Sequence, residues 1–271
     1  MKFRIGFSAD PQEEATHIVP SVPQRSAVPV RSVVQVHFPA RNMTLSYYND
    51  LFDLHRGDTV YVDGKLEGLR GRVVNVNRNF RIKLSDYQRV VALADTNVRG
   101  TFHLAGSRLV TFDSDTLPYS SVRTWFRAPD KEDEEYSSGH DDDSFFLNDL
   151  NGFKAISAIF DRGQKYYAEN RVAYLSLDGH LGRAIVEGTS SYEVQFEYDE
   201  GQISAFTCDC FCSYPCKHQV AVLLQLKETL EHITKHYADL YSAGNYFAAV
   251  SRSAFFSFAL DSRESGSITL N

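Results

Sequence analysis

The sequence CDCFCSYPCKH, residues 208–218, contains all four cysteines of the 271-residue chain. The other positions contain none, which excludes the dispersed disulfide framework of a small secreted domain. Clustered thiols in an intracellular protein are typical of a metal site. Together with His218, the cysteines provide five candidate ligands within a single short segment.

Zinc prefers four ligands in a tetrahedron, and structural zinc sites usually supply them as two close pairs separated by a loop. Here Cys208 and Cys210 form one close pair, and Cys216 and His218 form the other. Cys212 is left over, so it either replaces Cys210 as a ligand or remains a free thiol. The spacing therefore predicts a zinc site made of two short knuckles.

The residues before and after the cluster show different periodicities. Before it, four β-rich runs at 171–177, 183–187, 192–198 and 203–207 are separated by glycine-containing turns, which predicts an antiparallel meander. After it, apolar residues recur alternately three and four positions apart, which predicts a helix with one buried face. This apolar stripe consists of Leu223, Leu226, Leu230, Ile233, Tyr237 and Leu240.

Three more elements are predicted in the second half of the chain. Apolar residues at a helical period predict a helix over 146–160, with a possible break at Arg162 and Gly163. The apolar segment 246–260 predicts a short helix. Residues 267–270 predict an edge strand.

The order of hairpin, C-x-C pair, short loop, C-x-H pair and helix closely resembles the SWIM zinc-binding domain. A looser resemblance extends back to residue 162, where the chain is similar to the strand-rich stretch before SWIM sites in bacterial helicase-like proteins. The resemblance implies a zinc-dependent fold that binds DNA or proteins. It also implies that Cys208, Cys210, Cys216 and His218 are the zinc ligands.

A structural zinc ion is favoured over a catalytic one. A catalytic site keeps one position open for water, whereas this cluster fills four positions from one short segment. The sequence has no P-loop, no dinucleotide-binding fingerprint and no nucleophile elbow. We therefore expect one structural Zn²⁺ ion, no enzymatic activity and no small-molecule substrate.

Short β-branched runs between turn residues also recur in the first half of the chain, which predicts a small β-barrel or sandwich. The predicted strands are 33–38, 59–62, 71–76, 80–84, 89–93, 101–104 and 109–112. Trp125 and Phe126 follow these strands and are expected to close this first core.

Residues 57–76 place glycines at turn-like intervals between β-branched pairs and resemble the KOW motif of small barrels in ribosomal and transcription proteins. This resemblance implies a barrel that binds RNA or protein. Basic and aromatic residues are interleaved here, as on surfaces where cations meet phosphates and rings stack on bases. The predicted nucleic-acid contacts are Lys65, Arg70, Arg72, Arg78, Arg81 and Lys83. Acidic residues dilute this patch, so an ordinary solvated barrel is the alternative.

Charge is distributed unevenly along the chain. Residues 1–128 carry 17 Lys/Arg and 12 Asp/Glu, residues 129–144 carry 1 and 8, and residues 145–271 carry 10 and 15. The middle segment has almost no apolar side chains and repels itself, so it cannot form a core. We predict a flexible tail at 1–30, a β-barrel-rich domain at 31–128, an acidic linker at 129–144, and a zinc-binding SWIM domain with C-terminal helices at 145–271.

The composition, with 43% hydrophobic and 23% charged residues, predicts a globular α+β protein that is mainly β. No apolar run approaches the roughly 18 residues that span a bilayer, so we expect a cytoplasmic protein without a membrane partner. The formal charge of −7 argues against bulk coating of nucleic acid but allows a local basic patch. We predict a zinc-binding accessory protein that binds DNA or RNA. The alternative is a protein-interaction adaptor for a separately encoded helicase-like ATPase.

Overall fold

The computed structural model describes five stretches of the chain, residues 3–8, 28–129, 144–212, 215–260 and 265–270. Residues 9–27 of the predicted tail and 130–143 of the predicted acidic linker lie outside the described residues. The strands form two sheets, and helices cover both faces of the larger one. The predicted α+β class is confirmed.

The elements are numbered along the chain. The strands are β1 (Phe3–Ser8), β2 (Ser32–Phe38), β3 (Met43–Asn49), β4 (Thr59–Val62), β5 (Gly71–Asn77), β6 (Val90–Leu93), β7 (Thr101–Ala105), β8 (Arg108–Thr111), β9 (Phe145–Phe146), β10 (Val172–Asp178), β11 (Leu181–Glu187), β12 (Ser191–Asp199), β13 (Gln202–Cys208), β14 (Tyr246–Ser251) and β15 (Ser265–Leu270). The α-helices are α1 (Tyr119–Phe126), α2 (Ser157–Ala168), α3 (Lys217–His236), α4 (Ala238–Gly244) and α5 (Arg252–Phe255).

The larger sheet has the strand order β1-β15-β7-β8-β14-β10-β11-β12-β13-β9 and carries the cysteine-rich segment. Strands β10 to β13 form the antiparallel meander that the sequence predicts. Strands β10 and β14 are buried almost throughout because helices cover both faces of the sheet. Helices α2 and α3 pack on one face, and α1 and α5 pack on the other.

The smaller sheet has the strand order β3-β2-β5-β4-β6, and its core includes alternate residues of β2. Its two edge strands are β3 and β6. They meet at one point, through an isolated bridge between Tyr48 of β3 and Arg89, which directly precedes β6. Within the described residues, however, the sheet does not close into the expected barrel. Residues 80–84 form no strand, since they pair with no strand among the described residues. Strand β3 is an additional strand that the sequence did not predict.

Strands β7 and β8 form a hairpin that joins the larger sheet, since β8 pairs with β14. Helix α1 follows, and its Val122, Trp125 and Phe126 pack in the core on the second face of that sheet. The expectation that Trp125 and Phe126 close the first core is therefore wrong. The last part of segment 31–128 contributes to the larger sheet because β8 finds its hydrogen-bonding partner much later in the chain.

The two ends of the described chain also meet in the larger sheet. Strand β1 lies in the segment predicted as a tail and pairs with β15. Strand β15 pairs with β7 on its other side, so it is an interior strand and not the predicted edge strand.

Helix α2 begins at Ser157, later than predicted, and continues through Gly163. The apolar segment that follows α4 begins with the buried strand β14 and only then turns helical. Periodicity alone cannot separate a short buried strand from a buried helix, which explains this difference. No helix among the described residues is long and apolar enough to cross a membrane.

Gly163 marks the closest approach of α2 to the first turn of α3. A Cβ atom at this position would lie 2.3 Å from the Cβ of Val220 and 3.0 Å from the carbonyl oxygen of Lys217. A glycine inside a helix costs stability locally, but here it allows two helices to pack in direct contact. The possible helix break predicted at this position is therefore a packing contact.

We expect Gly163→Ala to lower the free energy of unfolding by about 1–3 kcal/mol, because the added methyl group forces α2 and α3 apart. Urea unfolding followed by circular dichroism measures this change. Gly244→Ala is the control, since a Cβ there meets nothing closer than 3.9 Å. Equal stability of the two variants would contradict the tight contact between α2 and α3.

Candidate metal centre

The four predicted ligands come from two segments that the fold brings together. Cys208 is the last residue of β13, and Cys210 lies in the turn that follows. Cys216 is the N-cap residue of α3, and His218 lies in the first turn of that helix. Strand and helix therefore each contribute one pair, as the sequence spacing predicts.

The ligand atoms of Cys208, Cys210, Cys216 and His218 all lie within 4.8 Å of one another. The Nδ1 atom of His218 is 3.7 Å from the Sγ of Cys208 and 3.9 Å from the Sγ of Cys216. Ligands around a tetrahedral zinc ion, at about 2.3 Å for sulfur and about 2.0 Å for nitrogen, are separated by similar distances. This Cys₃His cluster can therefore hold a metal ion.

Cys212 lies outside this cluster and its side chain is exposed. The sequence left open whether Cys210 or Cys212 is a ligand. The fold brings Cys210, and not Cys212, to the other ligands. The backbone amide of Cys212 does contribute, because it donates a hydrogen bond to the Cys210 sulfur. The residue after Cys210, Phe211, is a fully exposed aromatic side chain in the same turn.

Hydrogen bonds to sulfur prepare the cluster for a metal ion. The amide of Cys210 donates to the Cys208 sulfur, and the amide of Gln219 donates to the Cys216 sulfur. The interaction between the Cys208 and Cys216 sulfurs lowers the pKa of Cys216 and raises the pKa of Cys208. Burial raises the pKa of Cys210 to about 11. Protonated thiols in the cluster release their protons when a metal ion binds, because the thiolate is the ligand.

Two tyrosines fix the orientation of the His218 ring. The ring stacks on Tyr192 with centroids 4.2 Å apart, and Tyr166 meets it edge-on at 5.4 Å. The Nδ1 atom faces the thiols, while Nε2 is buried without a hydrogen-bond partner among the described residues. Aromatic packing therefore holds the ring where most metal-binding histidines use a second hydrogen bond.

Gln219 joins the two ligand-bearing segments directly, and sequence reasoning missed it. Its side chain is buried, and its Oε1 atom accepts a 2.9 Å hydrogen bond from the backbone amide of Cys216. Its Nε2 atom donates a 2.9 Å hydrogen bond to the carbonyl oxygen of Phe206 on β13. Only its position three residues after the N-cap could have suggested this role, since that is where a capping box places a glutamine.

Helix α1 also holds the first knuckle, through Asp209. The Asp209 carboxylate accepts a 2.9 Å hydrogen bond from the amide of Glu193 and forms an ion pair with Arg127. The Glu193 carboxylate in turn accepts hydrogen bonds from Tyr119 at 2.6 Å and from Arg123 at 2.6 Å. These contacts connect the turn between Cys208 and Cys210 to α1 on the other face of the sheet.

The predicted nucleic-acid contacts lie in different environments. Arg70 packs over the rings of Phe126 and Phe258 and donates to the carbonyl oxygen of Trp125, so it joins the smaller sheet to α1. Arg78 pairs with Asp53 at 3.3 Å.

The other four predicted contacts differ in exposure. Arg72 is half-buried. Lys65, Arg81 and Lys83 are exposed, and Lys83 lies 4.0 Å from Asp86.

Residues 192–227 match the family model of the SWIM zinc finger. The matched segment covers most of β12, all of β13, both knuckles and the first half of α3, and it includes all four clustered ligands. This match confirms the resemblance that the cysteine spacing predicts. The comparisons with curated proteins and with solved structures found no match to the chain. The KOW-like resemblance of residues 57–76 stays a prediction.

We expect removal of the metal ion by a chelator to lower the thermal midpoint and the far-UV circular dichroism signal, because coordination of the ion holds α3 against β13. Cys210→Ser should lower both the number of metal ions bound per chain and the thermal midpoint. Cys212→Ser is the matched control and should leave both unchanged, since Cys212 is exposed and outside the cluster. A chelated protein with an unchanged thermal midpoint would show that the cluster does not stabilise the fold.

We expect Gln219→Ala to weaken zinc binding by about 10–100-fold, because loss of a residue that orients the ligands typically has this effect. Competition with a chromophoric chelator measures the affinity, and the absorption spectrum of bound Co²⁺ reports the ligand geometry. Gln225→Ala is the control, since this buried glutamine bonds Arg108 and Thr229 farther along α3. It should reduce stability but not zinc affinity. Equal affinities of all three proteins would contradict a positioning role for Gln219.

Proposed function

We propose that the chain is a non-catalytic accessory protein that holds one structural Zn²⁺ ion and binds nucleic acid. The observation that carries the nucleic-acid part is the exposure of Lys65, Arg81 and Lys83, which lie in the loops that connect β4 to β5 and β5 to β6 of the smaller sheet. Neither Lys65 nor Arg81 lies within ion-pair distance of a carboxylate in the described part of the chain. Cations without a carboxylate partner among the described residues are available to release counterions from phosphates.

The metal-binding module adds a second surface that suits nucleic acid. Phe211 is fully exposed next to the second ligand. The Lys217 ammonium lies 4.7 Å from the centroid of the Tyr166 ring, beside His218. An exposed ring and a positioned cation are the groups that single-stranded nucleic acids contact by stacking and by phosphate pairing.

The zinc ion is proposed as structural because the Cys₃His cluster supplies four protein donors. Its role is to hold the knuckle and α3 in place, so that Phe211 and Lys217 project from a rigid surface. We place the protein in the cytoplasm, because free cysteines persist in a reducing compartment.

The test is fluorescence anisotropy of the zinc-loaded chain with labelled single-stranded DNA, duplex DNA and duplex RNA, at about 50 and 200 mM salt. We expect binding to weaken steeply with salt, because each neutralised phosphate adds nearly one unit to the logarithmic salt slope. The triple variant Lys65→Gln, Arg81→Gln, Lys83→Gln should lose most of the affinity and reduce the slope by about 2–3.

The matched control removes one arginine and two lysines from α2 and α3, which cover the larger sheet, as Arg162→Gln, Lys165→Gln and Lys235→Gln. These side chains are exposed on α2 and α3, so the control changes net charge equally without touching the smaller sheet. It should keep its affinity. Equal losses in both variants would show that binding depends on overall charge only.

A protein-interaction adaptor is the second candidate. It is favoured by the net charge of residues 145–271, where 15 acidic residues exceed 10 basic ones. It is also favoured by Phe146, which is exposed on the short edge strand β9. A separately encoded helicase-like ATPase is the proposed partner. Absence of salt-sensitive binding to all three nucleic acids would favour the adaptor over the nucleic-acid protein.

A further inference from the structure

A cleft of about 600 Å³ lies between α1 and the larger sheet, on the face opposite α2 and α3. Its volume is within the usual range for small-molecule sites. Its walls include Tyr119 and Arg123 of α1 and Arg127, which follows that helix. Its floor includes Ser176, Arg183 and Gln195 of the sheet.

The floor is a continuous polar row across three neighbouring strands. Ser176 of β10 pairs in register with Arg183 of β11, and Arg183 pairs in register with Gln195 of β12. The adjacent row on the same face is Tyr174, Ile185 and Glu193. Tyr174 and Ile185 are buried in the core beneath α1, and the Glu193 carboxylate accepts hydrogen bonds from Tyr119 and Arg123. A hydroxyl, a guanidinium and an amide are therefore aligned where the apolar cover of this face ends.

Arg183 differs from the other two arginines of the cleft. Arg123 and Arg127 both pair with Glu193, at 2.6 and 2.9 Å. Arg183 has no carboxylate within ion-pair distance among the described residues, and its guanidinium lies 5.0 Å from the centroid of the Tyr119 ring. The cation–π contact with this ring restrains the guanidinium, which presents several N–H donors to a bound ligand.

We propose that this cleft binds the phosphate group of a small phosphorylated ligand, with Arg183 as its main cationic contact. A guanidinium forms paired hydrogen bonds with phosphate oxygens, and the neighbouring Ser176 hydroxyl and Gln195 amide can donate further hydrogen bonds. Asp178 is the carboxylate among the lining residues, and it lies at the exposed end of β10. The phosphate is therefore assigned to Arg183 and Gln195, on the two strands that follow β10.

The same phosphate chemistry occurs in a free nucleotide and in an oligonucleotide strand. Titration calorimetry on the zinc-loaded full chain distinguishes them with three probes, adenosine 5′-monophosphate, adenosine and a short single-stranded DNA. We expect saturable binding of the monophosphate and no binding of adenosine. Arg183→Gln should weaken monophosphate binding at least tenfold, while Arg162→Gln, on α2 across the sheet, should leave it unchanged.

Arg183→Lys is the second variant, because it keeps the charge and loses the paired hydrogen bonds. It should bind the monophosphate with intermediate affinity, and its folding is checked by its thermal midpoint. If the wild-type chain binds no monophosphate but Arg183→Gln lowers its affinity for DNA, the phosphate site is still supported. The phosphate that it binds then belongs to an oligonucleotide strand. Equal binding of adenosine and monophosphate, or no effect of Arg183→Gln on any probe, would overturn the proposal.

This site does not include Lys65, Arg81 or Lys83. The proposed nucleic-acid function and the proposed phosphate site can therefore be refuted independently of each other. The triple variant of the smaller sheet tests the first with polymeric nucleic acid, and Arg183→Gln tests the second with a mononucleotide.

Discussion

The attachment of the first turn of α3 to the end of β13 is the constraint on which one face of the larger sheet depends. Leu223 and Leu226 of α3 fill the core against β10 and β11, so the position of this helix decides whether that core is closed. Two features fix the position of α3, namely the Cys₃His cluster and the hydrogen bonds of the buried Gln219 side chain. A buried amide that satisfies both of its partners holds the segments in one arrangement, because any other leaves polar groups unpaired.

Helix α1 has a corresponding role on the opposite face. It packs Trp125 into the core of the larger sheet, while Tyr61 of the smaller sheet donates a 2.9 Å hydrogen bond to its Thr124 carbonyl. Arg127 extends from the end of this helix to Asp209 in the first knuckle. The helix therefore contacts the smaller sheet, the larger sheet and the metal-binding turn, and it forms one wall of the Arg183 cleft.

Local patterns were the predictable part of this protein. The meander of β10 to β13 and the helix after Lys217 follow from turn residues and from apolar periodicity, which act over a few positions. The four ligands were predictable because metal geometry imposes a spacing that is visible along the chain. Strand β14 and the hairpin of β7 and β8 were not assigned to one sheet, because their pairing joins residues far apart in the sequence. Gln219 was missed for a similar reason, since its partner Phe206 lies on another element.

The sequence by itself determined that the metal centre lies within residues 208–218, because the candidate ligands fall within eleven residues and their chemistry does not depend on distant parts of the chain. The fold decided between Cys210 and Cys212. The sequence also determined the α+β class through its periodicities. The tertiary structure alone decided which sheet receives β7, β8 and α1, which cations stay exposed, and that Arg183 faces a cleft. These outcomes depend on which surfaces are buried together, and burial is a property of the whole fold that local sequence cannot specify.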